Sequence, residues 1–160
     1  MAGDYNTRRT ECERACGLLR VESLREVEVT ELERVGLLPP PLNRRARHVV
    51  TENQRVLDTV AALREGRVGD LGDLLAASHA SMRDDYEVSV PEIDRLVELA
   101  TAEPDTIGAR LTGGGFGGSI LALTRRGSGL AVGQRVVQRY RAESGRDGRL
   151  LVPALPAATL

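Results

Sequence analysis

The chain has 160 residues, enough for one domain whose core needs neither metal nor disulfides, and its 41% hydrophobic and 28% charged residues exclude wholesale disorder. Its 22 basic and 23 acidic residues give a formal net charge of −1, so we expect no nucleic-acid partner. Every basic residue is Arg, which excludes a Walker A phosphate loop and Schiff-base chemistry within this chain, since both need Lys.

The first predicted element is a helix over residues 10–19, preceded by a polar segment, 1–9, that we expect to be extended. Cys12 and Cys16 share a face of this helix but lie too far apart there for an unstrained disulfide. Two thiols do not complete a zinc site, so we interpret them as small packed residues, as is usual in a reducing cytosol. This cysteine usage, with no apolar run long enough to span a membrane, predicts a cytoplasmic protein without a membrane partner.

A short helix capped by Thr30 is predicted next, and Gly36 ends it. Residues 37–42 contain three consecutive prolines, which no helix can cross. We therefore predict three parts of the chain: an N-terminal segment at 1–42, the main domain at 43–153 and a tail at 154–160.

Three helices are predicted over residues 43–65, 69–82 and 90–102. Ser89 and Glu92 have the spacing of a capping box at the start of the third helix. His48 and His79 fall within the first two helices, where we interpret them as packed or surface residues. The inward stripe of the first helix is predicted to contain Ala46, Val49, Val50, Leu57, Val60 and Ala61.

The pattern changes after Pro104 to strands at 107–112 and 119–124, a helix at 130–143 and a last strand at 149–152. Helices followed by this β-β-α-β order predict an α+β fold, with helices packed on one face of a small, mainly antiparallel sheet.

A glycine-rich loop joins the first two predicted strands. Such a loop can approach a phosphate with consecutive backbone N–H groups, or it can be only a tight turn, and the residues alone leave both readings open. A dinucleotide fingerprint is disfavoured, because a predicted strand rather than a helix follows the loop and no Asp or Glu stands about 20 residues further on. The loop comprises Thr112, Gly113, Gly114, Gly115, Phe116, Gly117 and Gly118.

Asp84 and Asp85 are the second candidate for chemistry, because paired carboxylates can bind Mg²⁺ or act as acid and base. Adjacent side chains usually point apart, however. We therefore favour a solvated turn at a helix entry, where acids suit the helix dipole.

Six segments in order resemble galactokinases, members of the GHMP small-molecule kinases. They are YNTRRTECE at 5–13, SLREV at 23–27, RRARHVV at 44–50, SH at 78–79, RDDYEVS at 83–89 and TGGGFGG at 112–118. The resemblance extends from about Tyr5 to about Val152. It departs mildly at Met82, Ala109 and Ser119, where family members often have Leu, Ser and Cys.

The resemblance implies the C-terminal portion of such a kinase. The 112–118 loop corresponds to the third family signature, beside the nucleotide, and Tyr5 to a sugar contact. The first two signatures, the catalytic base and the Mg²⁺ ligands are expected in a preceding part, so this chain is expected to contain no catalytic and no metal-binding residue. A family strand that precedes Tyr5 is also missing, which predicts an unpaired sheet edge.

The function implied is ATP-dependent phosphorylation of galactose by a complete enzyme that is monomeric, with this chain inactive alone. Two alternatives stay open: a non-catalytic module that binds sugar or nucleotide, and a kinase for a related sugar such as N-acetylgalactosamine.

Overall fold

Helices form the first two thirds of the chain, and a two-stranded sheet with one further helix follows. The computed structural model describes residues 2–153, so the predicted tail at 154–160 lies outside the described residues. The helices are α1 (Ala2–Leu19), α2 (Leu32–Gly36), α3 (Leu42–Arg64), α4 (Asp70–Asp84), α5 (Pro91–Thr101) and α6 (Gly129–Ser144); the strands are β1 (Thr106–Thr112) and β2 (Ser119–Thr124). Short 3₁₀ turns occupy Leu24–Glu26 and Val29–Glu31. None of the described helices is both long and apolar enough to cross a membrane.

The start of the chain differs from the sequence prediction. Residues 1–9 were expected to be extended, but α1 already begins at Ala2. Polar residues form this helix because Arg9 pairs with Glu13 one turn later, while Arg8 bonds both to Glu11 and to a distant segment. The predicted Thr30 cap is also wrong, since Thr30 lies within the second 3₁₀ turn and Glu31 is the N-cap of α2.

The first part of the core is formed by residues of α1, of α3 and of the segment between these two helices. Its fully buried residues include Ala15, Val35, Leu42 and Ala46, and the partly buried Cys12 and Cys16 pack against it. Both cysteines are free, as the helical spacing predicted. Because this core contains residues on both sides of position 42, a boundary there stays a prediction.

The second half of α3 corrects the predicted inward stripe. Ala46 and Val50 are buried, but Leu57 is 63% exposed and Val60 is 39% exposed. Helical periodicity identifies an apolar face without specifying what covers it. Among residues 2–153, the elements that pack on α3 leave this part of its surface open.

The sheet is antiparallel, with Ala109 opposite Ala122 and Leu111 opposite Ile120. These four side chains face α5 and α6 across two apolar clusters. The α+β class with an antiparallel sheet is thus confirmed, and α4 also packs along β1. There Gly72 and Gly108 are in backbone contact: a Cβ built on Gly72 would lie 2.5 Å from the Ile107 carbonyl oxygen.

Two smaller predictions near the sheet are wrong. The helix α5 begins at Pro91 with Val90 as its N-cap, and the Ser89 hydroxyl bonds to Asp94 instead of capping with Glu92. Residues 149–152, predicted as a strand, have no regular structure. Leu150 packs against Gly133 of α6, and among the described residues no strand forms backbone hydrogen bonds with this segment.

Candidate functional site

The loop between β1 and β2 has an unusual backbone. Positive φ angles occur at Gly113 (93°), Gly115 (82°), Phe116 (59°), Gly117 (115°) and Gly118 (97°). Side chains with a Cβ rarely adopt this region, which explains why the sequence supplies glycine at four of these five positions. The glycines are therefore required by the conformation of the loop.

Val88 anchors the middle of this loop. The Phe116 N–H donates to the Val88 carbonyl oxygen at 2.6 Å, and the Phe116 ring packs beside Val88 and Leu111. A Cβ on Gly115 would lie 2.6 Å from the Val88 Cβ and 2.7 Å from its carbonyl oxygen. Gly115 thus lets the loop approach the 85–89 segment closely enough for this hydrogen bond.

The rest of the loop is open. A Cβ built on Gly113, Gly114, Gly117 or Gly118 would meet no neighbouring atom within 4 Å. Within residues 2–153, the Phe116 bond is the one backbone hydrogen bond that the loop makes outside the β1–β2 ladder. Successive N–H groups in turns of this kind form concavities that bind anions, so the geometry suits the oxygens of a phosphate.

Two arginines hold the anchor segment from different helices. Arg8 of α1 donates from Nε to the Tyr86 carbonyl oxygen at 2.6 Å and from Nη2 to the Glu87 carbonyl oxygen at 3.0 Å. Arg45 of α3, whose side chain is only 3% exposed, donates to the Asp85 carbonyl oxygen and to the Glu87 carboxylate, each at 2.6 Å. The Arg45 hydrogen bond is the main cause that lowers the pKa of Glu87.

His79 holds the strand that enters the loop. Its Nδ1 accepts the Leu111 N–H at 3.3 Å, and its Nε2 lies 3.3 Å from an Asp94 oxygen. Burial lowers the pKa of His79, which favours the neutral ring with its proton on Nε2. His79 therefore supports the end of β1, in agreement with its prediction as a packed residue.

His48 is buried as well. It stacks on the Tyr86 ring with the centroids 4.4 Å apart, and its Nδ1 lies 3.0 Å from the Ser81 hydroxyl oxygen. Burial lowers the pKa of His48 to about 4, so the ring is neutral at pH 7. It too belongs to the packing around the anchor segment.

Tyr5 lies on α1 beside an open groove of about 580 Å³. Its side chain is 59% exposed, and Cys12, Cys16 and Tyr86 line the same groove. The Cys12 sulfur lies 3.8 Å from the Tyr86 hydroxyl oxygen, and burial raises the pKa of both groups. The Cys12 thiol is therefore protonated at neutral pH.

Asp84 and Asp85 do not form a joint carboxylate site. Asp84 pairs with Arg83 at the surface, whereas Asp85 accepts hydrogen bonds from Ser81 and Arg47. They end α4 rather than begin a helix, so the expected helix-entry turn is wrong. Across residues 2–153 no group of three or more His, Cys, Asp or Glu could hold a metal ion, and these residues do not fit a Mg²⁺ site.

Sequence reasoning identified the loop but missed the arginines that hold its anchor. Arg8 and Arg45 bond to backbone carbonyls far away in the chain, and such contacts leave no local pattern. The available signal was their position inside two of the segments that resemble galactokinases.

Comparisons with known proteins agree with this fold. The family described as GHMP kinases, C terminal, matches residues 59–142, just over half of the chain. This chain belongs to the GHMP kinase family and carries its C-terminal domain.

Curated relatives narrow the similarity to galactokinases. Galactokinase from Pasteurella multocida is 49% identical over 150 residues, and those from Actinobacillus succinogenes and Haemophilus influenzae are 45% and 47% identical. Each match covers 91% of this chain but 39% of the relative, so the chain spans well under half of their length. The crystal structure of Lactococcus lactis galactokinase complexed with galactose matches 90% of this chain and 39% of its own, with a TM-score of 0.83 and 36% identity.

Proposed function

We propose that this chain forms the C-terminal part of a galactokinase, which transfers the γ-phosphoryl group of ATP to the anomeric hydroxyl of galactose. The observation that carries the proposal is the 112–118 loop, whose open backbone N–H groups suit a nucleotide phosphate, in a chain similar to galactokinases. We further propose a cytoplasmic, monomeric complete enzyme.

In this proposal the chain positions substrates and does not perform the proton transfer. Phosphoryl transfer depends mainly on positioning and on charge stabilisation around the phosphates and Mg²⁺. The loop would contact the nucleotide through N–H groups that are already oriented, without reorganisation. We assign the base and the Mg²⁺ ligands to the part of a complete enzyme outside this chain.

Tyr5 is the proposed sugar contact. Its exposed phenol can exchange a hydrogen bond with a sugar hydroxyl, and such a neutral bond contributes about 0.5–1.5 kcal/mol. We expect Tyr5→Phe, in this chain joined to the preceding part of Pasteurella multocida galactokinase, to lower kcat/KM for galactose roughly 2- to 13-fold. The kcat/KM for ATP should change little. Steady-state kinetics with each substrate varied in turn makes the measurement, and an equal loss for both substrates would contradict the assignment.

The isolated 160-residue chain should not phosphorylate galactose, because it lacks the proposed base and metal ligands. Coupled assays of ADP release, with a blank preparation as control, test this. Turnover by the pure chain would overturn the division of roles. Sugar or nucleotide binding by a joined protein that shows no turnover would instead favour a non-catalytic module.

A further inference from the structure

We propose that Arg8 is a positioning residue that couples the α1 helix carrying Tyr5 to the glycine-rich loop. That Tyr5 contacts a sugar and the loop a nucleotide rests on the proposed function, whereas the contacts of Arg8 do not depend on it.

The Arg8 guanidinium joins three parts of the molecule. Besides its bonds to the carbonyl oxygens of Tyr86 and Glu87, it donates from Nη1 to Glu11 at 3.1 Å. Its central carbon lies 5.8 Å from the centre of the Phe116 ring, within the range of a cation–π interaction. The side chain is only 14% exposed, so water competes weakly for these contacts.

These contacts lead directly into the loop. Glu87 has a φ of 53°, a conformation that needs support, and Arg8 fixes its carbonyl group. The next carbonyl, that of Val88, accepts the Phe116 N–H. Arg8 therefore reaches Phe116 by two routes: through the backbone of the anchor segment and across the face of the ring.

The position of Arg8 on α1 connects these routes to Tyr5. Residues three apart on a helix are surface neighbours, so Tyr5 and Arg8 lie on adjoining turns of one face. A shift of α1 when a ligand binds Tyr5 would move the guanidinium, and with it the support of Phe116. Lys could not replace Arg8, because its single ammonium lacks the planar fork that serves two carbonyls and a ring.

Arg45 makes it possible to separate this role from simple folding. It holds the same segment through its own bonds to the Asp85 carbonyl oxygen and the Glu87 carboxylate, and it shares the Glu11 carboxylate with Arg8. The segment should therefore keep its place without Arg8, while the loop loses a support that Arg45 does not supply.

Amide hydrogen exchange on the 160-residue chain tests the contact itself. In Arg8→Gln and Arg8→Lys we expect the Phe116 amide to exchange about tenfold faster, while the Leu111 amide, bonded to His79, changes by less than about twofold. Arg9→Gln is the matched control, since Arg9 is 70% exposed and pairs with Glu13 on the same helix. Unchanged protection of Phe116, equal loss at both amides, or failure of Arg8→Gln to fold would each overturn the proposal.

Phe116→Leu gives a second route to the same question. It keeps the N–H bond to Val88 and removes the ring beneath Arg8. In this background Arg8→Gln should accelerate Phe116-site exchange by a smaller factor than in the wild-type chain. If Arg8→Gln accelerates exchange at position 116 equally in both backgrounds, the contact of Arg8 with the Phe116 ring does not support the loop.

The coupling is measured in the protein joined to the Pasteurella multocida galactokinase N-terminal part. We expect galactose to tighten ADP binding at least about fivefold in the unmodified and Arg9→Gln proteins, and less than about twofold in Arg8→Gln. The same factor in all three would overturn the coupling. Without galactokinase activity in the joined protein the proposed function fails, whereas the exchange result on Phe116 stands or falls separately.

Discussion

Two features of the structure disfavour any replacement of Gly115 by a residue with a side chain. Its φ of 82° disfavours any Cβ, and the built Cβ meets the backbone of Val88, which cannot swing aside. We expect Gly115→Ala to destabilise the chain by about 1–3 kcal/mol and to weaken the Phe116 bond to Val88. Urea denaturation of the 160-residue chain measures the free energy of unfolding.

Gly114→Ala is the control for that experiment. Gly114 lies in the same loop, without a positive φ and with open space around its Cβ position. Its change should stay within about 0.5 kcal/mol. If the two variants are equally stable, the loop does not depend on its contact with Val88.

His48 gives the fold a dependence on pH. Its pKa falls from 6.5 to about 4 on burial, so between these values the unfolded chain binds more protons than the folded one. The contribution is complete above about pH 6.5 and declines as the pH falls towards 4, by at most about 3 kcal/mol. We expect His48→Asn to reduce the slope of unfolding free energy against pH in this window, measured by denaturant titrations at several pH values.

The remaining titrations act as an internal reference. Because the pKa of His79 is also lowered, its titration likewise reduces the free energy of unfolding as the pH falls, and His79 is still present in the His48→Asn variant. A slope that is the same with and without His48 would mean that the ring is protonated in the folded chain at pH 5.

Local sequence patterns identify residues whose structural role depends on local backbone conformation. The glycines of the loop could be recognised because their role follows from backbone conformation alone. Arg8 and Arg45 could not, because they act through carbonyl groups that only the folded chain brings near them. Whether the loop contacts a nucleotide, and Tyr5 a sugar, stays a prediction.

At the scale of elements, periodicity located α3 to α6 and both strands within a few residues. It failed where an element depends on its partner. Residues 149–152 have strand-like composition but no neighbouring strand among the described residues, and residues 2–9 are polar yet helical through their ion pairs.

The crossing of α4 over β1 depends on Gly72. A Cβ there would lie 2.5 Å from the Ile107 carbonyl oxygen, and both atoms belong to rigid elements. We expect Gly72→Ala to lower the free energy of unfolding by about 1–3 kcal/mol, because the helix must move away from the strand. Urea denaturation again provides the measurement.

Gly69→Ala, at the cap of the same helix, is the comparison. It has open space and a helical backbone, so it should change stability by less than about 0.5 kcal/mol. A neutral Gly72→Ala would show that α4 can be displaced from the sheet without cost.

In the molecule as a whole, apolar side chains are exposed at several places within residues 2–153. Examples are the second half of α3, with Leu57 63% and Leu63 58% exposed, and β2, where Leu121 is 53% exposed. Among the described residues β1 is the one strand that pairs with β2, and the edge expected from a missing family strand stays a prediction. Sequence patterns mark such surfaces as apolar but carry no information about what covers them.

The contacts of Arg8 also order events during synthesis. Its carbonyl partners lie 78 and 79 residues further along the chain, whereas β1 and β2 are joined by a short loop and can pair locally. At typical translation rates about 4–16 s separate the appearance of Arg8 from that of Tyr86. Within that interval α1 can already pack against α3, but Arg8 lacks its carbonyl partners. The candidate site is therefore complete only after Tyr86 and the 112–118 loop have been synthesised.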